Sequence, residues 1–321
     1  MKNYFKIAPI ALFFSIATFV TSCSSDDAAV TPAPAPVDNT ITGKAVATAD
    51  LSILVAALQK TGLASVLQGA GSFTVFAPKN SAFSALNISV ASINNMTPTE
   101  LNGLKETLLS HVVSGTTTST QLMNNSYLKT LGSGAASTTS KLSMLVNKGA
   151  TVKLNNNATV ITPDVVASNG IIHIVDKVIT APTIVDLVAT NTNFSDLVNA
   201  LSTTGLVPTF QTSTFYTVFA PDNAAFTALA AEITPLVPST AQLTNILKYH
   251  VVSGNVNASG LVAGSVATIN PQPFTVSLTG GANITGSRVP ARSASTVTTT
   301  DIQANNGVIH VLNKVLLPAT F

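Results

Sequence analysis

The sequence predicts an α+β protein built from two tandem copies of one domain. Three observations carry this. Blocks of residues recur in the same order, each copy opens on a helix-period apolar stripe, and each closes on short apolar strands between turn signals. Phe73-Thr74-Val75-Phe76-Ala77-Pro78-Lys79-Asn80-Ser81-Ala82-Phe83 returns as Tyr216-Thr217-Val218-Phe219-Ala220-Pro221-Asp222-Asn223-Ala224-Ala225-Phe226. His111-Val112-Val113-Ser114-Gly115 returns at His250, and the run from Asn169-Gly170 through His173 to Val178 returns at Asn306-Gly307 through His310 to Val315. The offsets are 143, 139 and 137 residues, so the second copy carries small deletions. A period this long excludes a solenoid, whose units run roughly 20–50 residues, and suits two globular domains.

Each copy reads in the same order. Leu51, Leu54, Val55 and Leu58 fall at i, i+3, i+4 and i+7, as do Phe194, Leu197, Val198 and Leu201. That spacing puts one helix face on a core. Gly62 and Gly205 follow as helix stops. The strand from Phe73 ends at Pro78, and its partner at Pro221, because proline has no N–H for a ladder. Asn80 and Asn223 then stand where a short helix begins, and asparagine can cap it. A longer helix follows, opened by a capping box at Thr97 and Glu100, with Pro98 at the first helical position, and in the second copy by Ser239 and Gln242. The remainder is β-rich, including 142–146, 151–154, 171–175 and 274–278. The closing run Val308-Ile309-His310-Val311-Leu312 is apolar on both faces, which predicts a central buried strand.

The N-terminus reads as an export signal over residues 1–22. Lys2 and Lys6 precede an apolar stretch, Ile7 to Val20, that is short for a bilayer span. Small residues then lead into Cys23, the only cysteine. No packed domain has begun by that point, so a buried thiol is set aside and a lipidated Cys23 is expected, anchoring the chain to a membrane. The acidic run after it resembles a surface-export signal, so outer-membrane display at the cell surface is expected. Residues 23–39 form a stalk whose Pro32-Ala33-Pro34-Ala35-Pro36 favours extended polyproline II. The domains follow at 40–181 and 182–321, joined by so short a junction (Thr180 to Thr183) that a fixed relative angle is expected. Without residues 1–22 the chain carries 13 basic and 13 acidic residues. No basic patch marks a nucleic-acid partner.

The Phe-Ala-Pro-x-Asn-x-Ala-Phe, His-Val-Val-Ser-Gly and Asn-Gly-x-x-His-x-x-x-x-Val segments resemble the fasciclin (FAS1) domain. They occur twice, in family order. The resemblance implies a wedge-shaped β-sandwich flanked by helices in each copy, and an extracellular adhesion or matrix role. One departure is visible: Ser110 stands where the second copy has the family's tyrosine, Tyr249. Pro163-Asp164-Val165 resembles a Pro-Asp-Ile stretch of animal matrix members, in which the Asp-Ile pair is implicated in integrin binding. That makes Asp164, Val165, Asp301 and Ile302 candidate binding residues, with Tyr249 and His250 beside them. The alternative is that the aspartate caps a turn and its neighbour fills a core.

The four histidines, His111, His173, His250 and His310, invite a metal or catalytic reading. A metal shell needs three or four ligands, and the repeat offers two histidines and one matched acid. No Gly-x-Ser-x-Gly elbow accompanies Ser114 or Ser253. The expectation is therefore structural: buried imidazoles bonded to backbone, with no metal, no cofactor and no catalytic residue. Three functions follow for testing. The first is non-enzymatic attachment to cells, matrix or exopolysaccharide. The second is an envelope binding module for a small apolar ligand or lipid. The third is a hydrolase using His111 or His250.

Overall fold

The first helical stripe lies where its periodicity puts it. In the computed structural model, which describes residues 38–232, 238–288 and 293–320, a helix spans Ser52–Lys60. Leu51, Leu54 and Leu58 are buried in the core. The helix stops at Gly62, whose φ of +73° is open to glycine but disfavoured for other residues. The second copy repeats this with Ser195–Thr203 and Gly205. Both predicted capping boxes form, on Pro98–Leu109 and on Thr240–Tyr249. The signal-peptide and Cys23 expectations, and the stalk apart from residues 38–39, lie outside the described residues.

Asn80 and Asn223 do not cap their own helices, which corrects that expectation. Helix Asn80–Ser84 already begins at Asn80, and its cap position is Lys79. Asn80 reaches back instead. Its Oδ1 accepts from Ile53 N–H at 3.0 Å, and its Nδ2 donates to Ala49 O and Ser52 Oγ. Asn223 makes the same three bonds to Asp196 N, Thr192 O and Ser195 Oγ. Each asparagine thus satisfies an orphan N–H at the start of a helix 27 residues upstream. In the second copy it is Asp222 that accepts from Ala225 N–H, at 2.8 Å.

The first repeat has seven strands: β1 (Phe73–Pro78), β2 (Val112–Ser114), β3 (Ser126–Gly134), β4 (Ser137–Lys148), β5 (Val152–Leu154), β6 (Ala158–Ala167) and β7 (Gly170–Val175). The second has β8 (Tyr216–Pro221), β9 (Val251–Ser253), β10 (Gly264–Val266), β11 (Phe274–Ser277), β12 (Asn283–Thr285), β13 (Ser295–Ala304) and β14 (Gly307–Leu312). β7 runs parallel to β1 and antiparallel to β6, and β14 stands likewise between β8 and β13. All six residues of β14 are buried, as its two-sided apolar run requires. The Asn-Gly pair before each of these strands has a steric cause. A Cβ on Gly170 would lie 2.0 Å from Phe73 O, and one on Gly307 would lie 2.0 Å from Tyr216 O.

The two sheets close differently. In the first repeat, Val113 of β2 pairs with Thr130 of β3, and the seven strands form a closed barrel. In the second, the order runs β10-β11-β12-β13-β14-β8-β9, and among the described residues β9 and β10 are terminal strands that do not pair with each other, Val251 of β9 accepting instead from Ile269 N–H at 2.8 Å. The Ser110/Tyr249 difference accounts for this. The β3 backbone crosses so near Ser110 that a Cβ on Gly132 would sit 2.2 Å from Ser110 Oγ. A tyrosine has no room there. In the second repeat the Tyr249 ring is buried among Phe219, Phe274 and Ile284. Its hydroxyl donates to Pro273 O at 2.8 Å and accepts from Ser287 N–H at 2.9 Å. Pro271 and Pro273, which lack N–H groups, flank the same stretch.

The long β3–β4 hairpin leans onto the second repeat, and the two pack as one unit. Leu145 is fully buried among second-repeat side chains, including Leu187 and Ile302. Tyr127 donates its hydroxyl to Leu187 O at 2.8 Å and accepts from Asn191 Nδ2. Burial pushes the Tyr127 phenol up to about 12, so it stays neutral. Asn305, on the β13–β14 turn, accepts from Ala135 and Ala136 N–H, each at 2.9 Å, and donates its own N–H to Pro182 O. These bonds hold the hairpin tip, the junction and the second sheet together. Leu145→Ala is therefore expected to cost about 2–5 kcal/mol, the usual range for a buried leucine. Calorimetry should show the single unfolding transition separate into two; an unshifted single transition would contradict this coupling.

Candidate functional site

All four histidines are buried, between 0% and 3% exposed, and each binds backbone through both ring nitrogens. Ile179 N–H donates to His111 Nε2 at 2.8 Å, so that nitrogen is unprotonated. Nδ1 then carries the proton and donates to Thr107 O at 2.7 Å. His250 repeats the arrangement with Leu316 N and Ile246 O. Each imidazole thus links the last turn of a long helix to the segment that follows the central strand. Burial pushes both histidines down to about 4, against the pull of the carbonyl bond.

His173 and His310 use the opposite tautomer. Asp164 N–H donates to His173 Nδ1 at 3.2 Å, and Nε2–H donates to Thr117 O at 2.9 Å. Asp301 N and Val256 O serve His310 in the same way. Phe76 stacks on His173, with centroids 5.3 Å apart, and Phe219 covers His310 at the same distance. Burial lowers the pKa of His310, outweighing the Val256 carbonyl and Asp301. With both nitrogens engaged, none of the four rings offers a lone pair or a proton to a ligand. Among the described residues no group of three His, Cys, Asp or Glu side chains is placed to hold a metal ion.

Asp164 and Asp301 sit at φ +60° and +59°, at the irregularity where the β6 and β13 registers shift. Aspartate tolerates this left-handed conformation better than most residues. Asp164 is anchored through both oxygens. Ser119 N–H donates to Oδ1 at 2.8 Å, and the Ser119 hydroxyl donates to Oδ2. Partial burial works against ionisation, yet the Ser119 bonds hold the carboxyl below the usual range. Among the described residues Asp301 accepts only from Ala258 N–H, at 2.8 Å. The position matching Ser119 is Ala258, which has no hydroxyl.

The neighbours of the two aspartates differ. Val165 is half-buried, and the next residue, Val166, is 70% exposed. Ile302 is 2% exposed and packs in the second-repeat core. Tyr249 and His250 are also buried, and their polar atoms bond to different backbone segments rather than to each other. Of the candidate binding residues, the structure leaves Asp164, Val165 and Asp301 within reach of solvent. It brings Asp301 together with Lys129, Ser140, Lys141 and Asn257 around a cleft of about 360 Å³ between the repeats. Motif reading missed those four residues. The signal available in the sequence was the loss of a hydroxyl between Ser119 and Ala258, outside the recurring blocks.

Two measurements test this account. His111 and His250 must be neutral in the native state, so their contribution is complete above pH ~6.5 and declines as pH falls toward about 4. Urea melts should lose roughly 1 kcal/mol per pH unit for each histidine between about pH 6 and 5, where carboxylates, with midpoints of ~4, are still mostly ionised. A midpoint unmoved over that window would refute the buried neutral imidazoles. Ser110→Tyr should overpack the helix against β3 and lower first-repeat stability by about 1–3 kcal/mol. A variant as stable as the parent would remove the steric account of barrel closure.

Comparison with known proteins agrees with this geometry. The fasciclin domain family model matches twice, over residues 49–181 and 192–318. The chain is 31% identical over 276 residues, 85% of its length, to the transforming growth factor-beta-induced protein ig-h3 of Sus scrofa. That match spans only 37% of the porcine protein. It is 39% identical over 141 residues to protein sll1483 of Synechocystis, covering 43% of this chain and 74% of that one. Among solved structures, it superposes on a FAS1 domain pair from the insect cell adhesion molecule Fasciclin I. The TM-score there is 0.54 at 19% identity, over 83% of this chain and 96% of the other. With the family's motifs present twice and its fold in both halves, the chain belongs to the fasciclin domain family.

Proposed function

We propose that this chain is a non-enzymatic surface lipoprotein that attaches cells to other cells, to matrix or to exopolysaccharide. The observation that supports this reading is that all four buried imidazoles bond backbone at both nitrogens, so none of these rings is free to act as an acid or a base. Family membership supports the adhesive direction, since the superposed FAS1 pair comes from a cell adhesion molecule. The docked hairpin supports it as well, because repeats tied at several points can carry force between an anchor and a partner. The anchor proposed is Cys23, followed by the Pro/Ala-rich stalk, with display at the outer face of the outer membrane. Among the described residues no helix is long and apolar enough to cross a membrane.

One observation favours a second reading. Between the terminal strands β9 and β10 lies a cavity of about 230 Å³, lined by Phe219, Val252, Leu261, Val266 and Val276. It would suit a short apolar ligand or part of an acyl chain. Lipid that co-purifies with the chain, and that a Val266→Trp variant excludes, would establish that reading.

The adhesive reading is tested with Cys23→Ala. Labelled fatty acid should no longer be incorporated, the protein should leave the membrane fraction, and attachment of cells to coated beads or biofilm should fall. Attachment equal to that of the parent would count against it.

A further inference from the structure

The cleft between the repeats is lined entirely by polar side chains, and its composition names a ligand. Repeat 1 supplies Lys129, Ser140 and Lys141 from the docked hairpin, and repeat 2 supplies Asn257, Ser259 and Asp301. At about 360 Å³ it falls within the ~300–1,000 Å³ of small-molecule sites. Neither repeat contains the site alone.

Four groups in it are held ready without being fully used. Asn257 donates its Nδ2–H to Ser140 Oγ across the cleft, yet its Oδ1 is shielded from solvent with no hydrogen-bond partner among the described residues. A buried amide oxygen left unpaired is costly, and a hydroxyl donor would relieve it. Asp301 has one oxygen tied to Ala258 N–H and the other released, because the hydroxyl that holds both oxygens of Asp164 in the first copy is missing here. Lys141 spends one of its three donors on Ser133 Oγ at 3.0 Å, and Lys129 is exposed at the rim.

We propose that this cleft binds a carboxylated sugar unit, a uronate residue of an acidic polysaccharide. The two ammonium groups pair with the sugar carboxylate. The free Asp301 oxygen accepts from one ring hydroxyl and Asn257 Oδ1 accepts from another once its side chain turns out of its shielded position, while the Ser140 and Ser259 hydroxyls complete the set. A simple anion would leave the two acceptors unused, and Asp301 would repel it. An acidic peptide would bring few hydroxyls to them, and the lining has no apolar side chain on which peptide side chains could pack. The proposal rests on the adhesive reading and gives it a ligand class.

The test uses the full chain and isothermal titration calorimetry with oligogalacturonate, with dextran as the neutral polymer and poly-glutamate as the acidic peptide. Oligogalacturonate should bind, more weakly as salt rises. Dextran should give no binding, and poly-glutamate should bind at least tenfold more weakly. Two variants should each lose at least tenfold in affinity while keeping the parent's melting temperature. Lys129→Ala/Lys141→Ala removes the cations, and Ala258→Ser restores the hydroxyl that occupies the second Asp301 oxygen. Parental affinity in both variants, equal binding of poly-glutamate, or no binding of oligogalacturonate would each overturn the proposal. Bead attachment of the parent chain separates the two readings. Attachment without oligogalacturonate binding overturns the cleft alone, and loss of both overturns the adhesive reading with it.

Discussion

A neutral imidazole that accepts from one backbone segment and donates to another joins distant parts of each repeat. His111 ties the end of helix Pro98–Leu109 to Ile179, 68 residues on, and His250 ties Leu316 in the same way. These backbone groups lie inside the protein, where an unpaired N–H or carbonyl costs as much as a lost hydrogen bond. No regular ladder reaches them, because helix and strand end there. The imidazole, with a donor and an acceptor on different sides of a rigid ring, spans the gap. His173 and His310 do the same at the register shift beside the central strand, in the other tautomer. The helices, the sheet and the chain leaving each repeat are positioned through these four rings.

That commitment shapes what the protein can do. An imidazole whose pKa is pushed to about 4 by burial and whose nitrogens are both bonded is unsuited to general acid–base work near neutral pH. The four rings therefore serve the scaffold, and the candidate partner-facing side chains lie outside the recurring blocks.

The two copies diverge where they meet. Ser110 lets β3 cross close to its helix, so the first sheet closes and its long hairpin is free to extend. Tyr249 fills the equivalent space in the second copy, where the sheet stays open and the strands after it are short. The hairpin of the first copy docks against the second repeat, and Leu145 completes that repeat's core. One small-to-large difference thus accompanies both the tie between the repeats and the cleft along it. The loss of the Ser119 hydroxyl at Ala258 then leaves an aspartate oxygen facing that cleft.

Local patterning alone determined the duplication, the amphipathic helices, their capping boxes and the buried central strands. Those features depend on residues three, four or two apart, and so they can be read along the chain. The backbone-bonded role of the histidines was also legible, because too few partners accompany them for a metal shell. Tertiary structure decided the rest. Asn80 and Asn223 cap helices that lie upstream in sequence, since it is folding that brings those N–H groups within reach. Ile302 is core while Val165 is half-buried, because the second repeat receives Leu145 on that side and among the described residues the first receives nothing equivalent. The cleft of Lys129, Lys141, Asn257 and Asp301 joins residues up to 172 positions apart. No spacing rule along one chain registers such a set, because it exists only once two separately patterned surfaces have been packed together.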